Sequence, residues 1–186
     1  MPRLLHLNGP PGIGKSTLAR RYAEAHPGVL CCDIDLLRGL VGGSETRFAE
    51  TGAIIRPVAL AMISAHLTGG HDVVLPQMLA NPRELARFEA SATAAGASYL
   101  EVMLTDVDGT VESTVARFHG RGADGDTDGW HARVRGIVAA EGGDLMLRDL
   151  HVRLGALADA RHPLVLRTRA GDVDGAFAEL VALLDA

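Results

Sequence analysis

The sequence is short of aromatics, cysteine and lysine, and each shortage excludes something. Aromatic residues are 4% of the 186, so a core has to come from Leu, Val, Ile and Ala, within an apolar fraction of 47%. The two cysteines, Cys31 and Cys32, are adjacent and cannot frame a disulfide-stapled domain. No Cys or His spacing resembles a zinc site, and the eight histidines are scattered singly. No apolar run approaches the ~20 residues of a spanning helix, and Met1-Pro2-Arg3 does not open a signal peptide. The expectation is a cytoplasmic chain with no membrane partner. A net charge of −5 argues against a general nucleic-acid binder, although it leaves room for an enzyme that grips one nucleic-acid end. Of 18 basic residues only Lys15 is a lysine. Its place suggests a task that arginine does poorly, a compact ammonium set against phosphates.

What is present is a chain long enough for one domain, 1–186, in which short apolar runs alternate with helical patterns. Strands are expected at 3–8, 29–33, 72–75, 99–104 and 164–167. Helices are expected at 15–25, 35–40, 46–67 with a break or kink at Pro57, 82–95, 108–119, 130–140, 145–160 and 172–184. The alternation predicts a three-layer α/β/α domain around a five-stranded parallel sheet.

The first strand runs into Gly9-Pro10-Pro11-Gly12-Ile13-Gly14-Lys15-Ser16, which matches G-x-x-x-x-G-K-[ST] between a strand and a helix. Glycines at 9, 12 and 14 let the backbone, Ile13 included, turn its N–H groups inward as an anion nest at a helix N-terminus. Lys15 is placed to reach the β- and γ-phosphates of ATP or GTP, and the Ser16 hydroxyl to ligate Mg2+. A phosphate loop alone does not separate kinases from ATPases, GTPases or nucleotide-powered switches.

After the second strand, Asp33-Ile34-Asp35-Leu36-Leu37-Arg38 puts two carboxylates where open parallel sheets bind ligands. If Asp35 opens a helix, Arg38 lies one turn on along the same face, a base beside a cation for an anionic or polar substrate. The plainer alternative is that Asp35 caps the helix and Arg38 is a surface residue.

The loop, the Asp-x-Asp-x-x-Arg segment and the length together resemble the small-molecule and polynucleotide kinases of the P-loop class. The match is best from Leu4 to Arg38, through Gly9, Gly12, Gly14, Lys15, Ser16, Thr17, Asp35 and Arg38. Polynucleotide 5′-hydroxyl kinases, chloramphenicol phosphotransferase, gluconate kinase and zeta-type toxins are similar in this way. The resemblance implies a P-loop NTPase fold with a helical lid and ATP-dependent phosphorylation of a hydroxyl. Asp35 would be the base and Arg38 a residue that holds a substrate phosphate or anchors the substrate. The acceptor would be a small or nucleoside-like molecule, with a nucleic-acid end as the rival. Many relatives close the third strand on an acidic residue near the metal, where this chain has Leu75-Pro76-Gln77. Asp33 then stands as the candidate metal-shell carboxylate.

The lid is expected at about 117–135. Arg117 and Arg121, four apart, are candidates to neutralise charge on the transferred phosphoryl, ahead of Arg133 and Arg135. An ordinary charged hairpin is the alternative. Arg167, after the last apolar run, is a candidate to stack on the nucleotide base. The 46–67 stretch reads as an apolar wall for the acceptor. Asp106-Val107-Asp108-Gly109-Thr110 spells the first motif of haloacid-dehalogenase phosphatases, but too little chain follows it, and the carboxylates read better as strand-end and cap residues. A non-transferase regulatory NTPase is the remaining rival.

Overall fold

The computed structural model describes residues 1–120 and 130–185. The expected order of elements is present: β1 (Arg3–Asn8), α1 (Lys15–Ala25), β2 (Leu30–Cys31), α2 (Ile34–Arg38), α3 (Phe48–Thr68), β3 (Val73–Leu75), α4 (Pro82–Ala94), β4 (Ser98–Asp106), α5 (Val111–His119), α6 (Trp130–Ala140), α7 (Asp144–Arg161), β5 (Leu164–Thr168) and α8 (Val173–Asp185). The strands make one parallel sheet in the order β2-β3-β1-β4-β5, with helices on both faces. This is the P-loop kinase-like α/β fold. β1 is central because the chain moves outward to β2 and later returns to its other side as β4. The carboxyl end of such a strand is where open α/β sheets bind ligands.

The chain divides into two compact units. The first contains Met1–Asn8 and Lys15–Val102; the second contains Gly9–Gly14 and Met103–Ala186. In the first, β1 pairs with β3 at Leu4↔Val73, Leu5↔Val74 and His6↔Leu75, and β2 with β3 at Leu30↔Val73 and Cys31↔Val74. Leu4, Leu5, Leu7, Val73, Val74 and Leu75 are all buried, so both faces of these strands are apolar and no in–out alternation shows. His6 interrupts this run and is fully buried. Its Nε2 lies 2.7 Å from the Gln77 carbonyl, which can only accept, so Nε2 donates there, and its Nδ1 lies 2.7 Å from the Tyr99 hydroxyl.

Local chemistry sets the helix starts. Asn81 Oδ1 accepts from Arg83 N at 2.9 Å, with Pro82 in the first turn of α4, and Thr110 Oγ1 accepts from Ser113 N at 3.1 Å before α5. Asp108 therefore does not cap α5. α3 starts at Phe48 and continues unbroken through Pro57. Pro57 and Ala53, whose carbonyl loses its intrahelical partner, are both exposed, so water can take the freed acceptor. By length and composition α3 matches a membrane-spanning segment, contrary to the expectation that no run in the chain would. In the first unit, however, it packs against α2, α4, β1 and β3 through Thr51, Gly52, Ile55, Ala59, Ile63 and Leu67.

The core of the second unit includes Phe118, Val138 and Leu147, with Val115, Val134 and Met146 packed beside them. A cavity of about 150 Å³ in this unit is lined by residues that include Pro10, Leu104, Asp106, Thr114, His151 and Leu154.

Candidate active site

The candidate residues fall in both units. In the second, Gly9–Gly14 forms the turn between β1 and α1. Gly9 has φ +140, and a Cβ there would lie 2.5 Å from the Leu104 carbonyl oxygen. Gly12 has φ +85, and its Cβ would lie 2.8 Å from the Arg117 carbonyl oxygen. Neither obstacle is a movable side-chain end, so both glycines are required by close backbone approach as well as by conformation. Ile13 anchors the loop with a buried side chain, and its carbonyl oxygen accepts from Arg117 Nη2 at 2.9 Å.

That contact makes Arg117 a brace on the loop. Its Nη2 also reaches Thr168 Oγ1 at 3.2 Å, and its Nη1 pairs with Asp106 Oδ2 at 3.4 Å. The Arg117 and Asp106 side chains are 11% and 10% exposed, so removing either one would leave the other buried without its partner. Burial pushes the Arg117 guanidinium below its ordinary range and Asp106 draws it back up. Thr168 has one hydroxyl proton to place, on the Thr105 carbonyl at 3.3 Å or the Ile13 carbonyl at 3.5 Å. Asp106 is thus occupied as the partner of Arg117, the use to which this chain puts its phosphatase-like spelling. Arg167 lies inside β5 with its side chain exposed, while its neighbour Thr168 is buried. Arg133 and Arg135 are on α6. Arg121, with the aspartates at 124, 126 and 128, lies outside the described residues.

In the first unit, Lys15, Ser16 and Thr17 form the first turn of α1. Asn8, at the foot of the loop, is fully buried; its Nδ2 donates to the Leu79 carbonyl and to Glu101 Oε1, both at 3.0 Å, and its Oδ1 accepts from Leu79 N at 3.0 Å. Its amide nitrogen and its carbonyl oxygen are both engaged, which fixes where β1 ends. Neither Asn8 nor the Arg117 brace stands out in the sequence. An amide closing an apolar strand directly before Gly9 is the one signal for Asn8.

Asp33 is the cap of α2: its Oδ1 accepts from Asp35 N at 3.1 Å, and the residue is 6% exposed. Asp35 therefore sits inside the first turn of α2, with its side chain 36% exposed. Arg38 Nη1 approaches Asp35 Oδ1 to 3.2 Å. The two charges are paired, yet the contact lacks hydrogen-bond alignment, and Arg38 Nε and Nη1 have no hydrogen-bond partner. Arg38 is buried, not a surface residue: it is 4% exposed, with its guanidinium carbon 3.7 Å from the centre of the Phe48 ring. Burial pushes its proton affinity below the ordinary arginine range, Asp35 acts in the opposite sense, and the charge of Arg56 pushes it further down.

No group of three or more metal-ligating side chains occurs among the described residues. Magnesium needs no such cage, because it keeps several waters and takes one or two protein oxygens besides phosphates. The Ser16 hydroxyl and the Asp33 oxygen not used in capping would supply oxygens of that kind. Gln77, two residues after β3, has its Oε1 buried without a hydrogen-bond partner, suited to a water or a substrate hydroxyl.

A family model described as AAA domain matches residues 4–135. Among solved structures, a gluconokinase from Sinorhizobium meliloti 1021 is 19% identical, with 99% of this chain and 92% of that one covered at a TM-score of 0.60. The tunicamycin resistance protein of Deinococcus radiodurans is 16% identical, covering 99% and 96%, with a TM-score of 0.60. A chain of the Pnkp1/Rnl/Hen1 complex is 26% identical, covering 62% of this chain and 38% of that one, with a TM-score of 0.54. No curated protein sequence matches significantly.

Proposed function

The chain belongs to the AAA domain family, and from that footing we propose that it is a kinase which moves the γ-phosphoryl group of ATP or GTP to a hydroxyl of a small-molecule or nucleoside-like acceptor. The observation that carries the reading is the glycine turn between the central strand and α1, ending on the only lysine of the chain. Backbone amides of Gly9 to Gly14 and the Lys15 ammonium hold the phosphates, with Thr17 beside them. Ser16 and Asp33 hold Mg2+, which screens phosphate charge when bound. Asp35 accepts the proton of the attacking hydroxyl, and Arg38 anchors the acceptor. Lys15 and Arg121 carry the charge that develops on the transferred group, while Arg117 keeps the loop in shape. Arg167 is assigned to the nucleotide base on sequence position alone.

A second reading, transfer to a nucleic-acid end, is favoured by the likeness to chains of the Pnkp1/Rnl/Hen1 complex, an RNA repair complex, and opposed by the net charge of −5. A coupled assay of ADP release over a panel of small alcohols and 5′-hydroxyl oligonucleotides, with mass spectrometry of the products, separates the two. Slow hydrolysis indifferent to every acceptor would instead mark a regulatory NTPase and overturn the kinase reading.

A further inference from the structure

The cavity in the second unit has no part in the roles assigned above. It is lined by Pro10 of the phosphate turn, the end of β4, Thr114 of α5 and the middle of α7, all within that unit. An apolar cavity of its size, about 150 Å³, accepts a single benzene-like ring. Met103, Leu104 and Leu154 supply apolar surface. Gly155 and Ala158 leave α7 without bulk where it passes the cavity. A Cβ on Gly155 would meet no atom within 4 Å, so packing does not call for a glycine that weakens the helix. Two ionisable side chains share the lining, Asp106 and His151. Asp106 is already engaged: its Oδ1 accepts from Asp108 N at 3.2 Å, and its Oδ2 pairs with Arg117. His151 is held at one nitrogen, with Nδ1 2.8 Å from the hydroxyl of Thr114, a residue 4% exposed that also reaches the Thr110 carbonyl at 3.3 Å. The ring is thereby fixed, and Nε2 is left to meet a ligand.

We propose that this cavity is an effector site for a neutral, single-ring compound carrying one hydroxyl, which binds beside the phosphate turn and strengthens nucleotide binding. The ring follows from the volume and the apolar lining. Neutrality follows from Asp106, whose charge repels an anion and whose pairing with Arg117 leaves no need for a cation. The hydroxyl follows from His151, because a group that both donates and accepts suits Nε2 in either tautomer. An occupant packed against Pro10 keeps water from the Asp106–Arg117 pair, and the lower local dielectric strengthens it. Arg117 in turn holds the Ile13 carbonyl at 2.9 Å, and Thr114 precedes it by one turn of α5, so the same occupant stiffens the support of the phosphate turn. The site goes beyond the kinase reading and rests on it only for the link to the nucleotide.

The test titrates the full chain with phenol and with benzene, following the methyl NMR signal of Met103, which lines the cavity and is 2% exposed. Phenol should shift that signal saturably and bind roughly 3- to 10-fold more tightly than benzene, the usual gain from one neutral hydrogen bond. His151→Phe keeps a ring in place and should bring the two affinities together. Ala158→Leu fills the cavity and should abolish the shift in a protein still folded by circular dichroism; Gly155→Leu fills it from the neighbouring turn of α7 as a second variant. Saturating phenol should tighten Mg-ATP binding about fivefold or more in calorimetry, the lower end of the usual coupling between sites, and the filled variants should lose this response. No shift at Met103, a shift undiminished in both filled variants, or phenol binding that leaves Mg-ATP affinity unchanged would each overturn the proposal. Phosphorylation of phenol itself would make the cavity an acceptor site and overturn its role as an effector site. Phenol binding that depends on Ala158 in a protein with no affinity for Mg-ATP would uphold the ligand site while the kinase reading fails.

Discussion

Arg117→Met is the substitution whose cost can be worked out most fully. It keeps an unbranched side chain of similar length against the core and deletes only the charged head. The bond to the Ile13 carbonyl at 2.9 Å is well formed and involves a charged donor, worth about 1.5–3 kcal/mol. The 3.2 Å contact with Thr168 Oγ1 is weaker, and the 3.4 Å pair with Asp106 is long. The larger effect at Asp106 comes from what remains, a carboxylate that is 10% exposed and has lost its cation. Together these give an expected loss of about 3–4 kcal/mol, or roughly 6–15 °C in Tm for a chain of this size. Asp106→Asn should cost less, about 1–2 kcal/mol, because Arg117 retains the Ile13 carbonyl. The double variant should be more stable than the sum of the two by at least about 1 kcal/mol, since no stranded carboxylate is left. Urea denaturation of the four proteins measures this directly. The freed Ile13 carbonyl should also loosen the turn and weaken magnesium-nucleotide binding, on the order of tenfold. An Arg117→Met protein within about 0.5 kcal/mol of the parent, with no coupling to Asp106 and unchanged nucleotide affinity, would refute the brace.

Asp35→Asn should lower acceptor phosphorylation by about 10²–10⁴-fold while nucleotide binding persists, and intact transfer in that variant would remove Asp35 as the base. Gly9→Ala drives a Cβ to within 2.5 Å of the Leu104 carbonyl oxygen at a φ of +140, so stability should fall by more than about 1 kcal/mol and nucleotide binding with it; calorimetry on the purified variant checks both. The thiols are shifted upward from 9.0, Cys31 to about 11 by burial and then Asp33, and Cys32 to about 12 by burial and then Cys31. Groups raised in this way support the fold fully below pH 9 and lose that support as pH rises through 11 and 12. Stability should accordingly decline in denaturant titrations above pH 9, and the decline should be smaller in Cys31→Ala/Cys32→Ala; equal slopes would contradict it.

The parts of the molecule legible in the sequence are those written in short range. A strand, a glycine turn and a helix follow one another between Arg3 and Ala25, and each signal supports the next, so the loop can be placed from sequence. The other four strands are legible as short apolar runs between helical patterns. Where residues compete for one local role, spacing alone does not decide: Asp33, and not Asp35, caps α2, because the cap oxygen must reach an amide two residues on. Pro57 reads as a break, yet an exposed carbonyl can turn to water and the helix continues. The Arg117–Ile13 contact spans 104 positions and the Asn8–Glu101 contact 93, and no local pattern encodes either.

The central claim is that the turn from Gly9 to Gly14, with Lys15 at the start of α1, binds a nucleoside triphosphate. Titration of the purified protein with Mg-ATP and Mg-GTP by isothermal calorimetry tests it most directly. Saturable one-to-one binding that is lost in Lys15→Ala, with the variant still folded by circular dichroism, is the expected result. Absence of binding in the parent protein, or undiminished binding in Lys15→Ala, would contradict it.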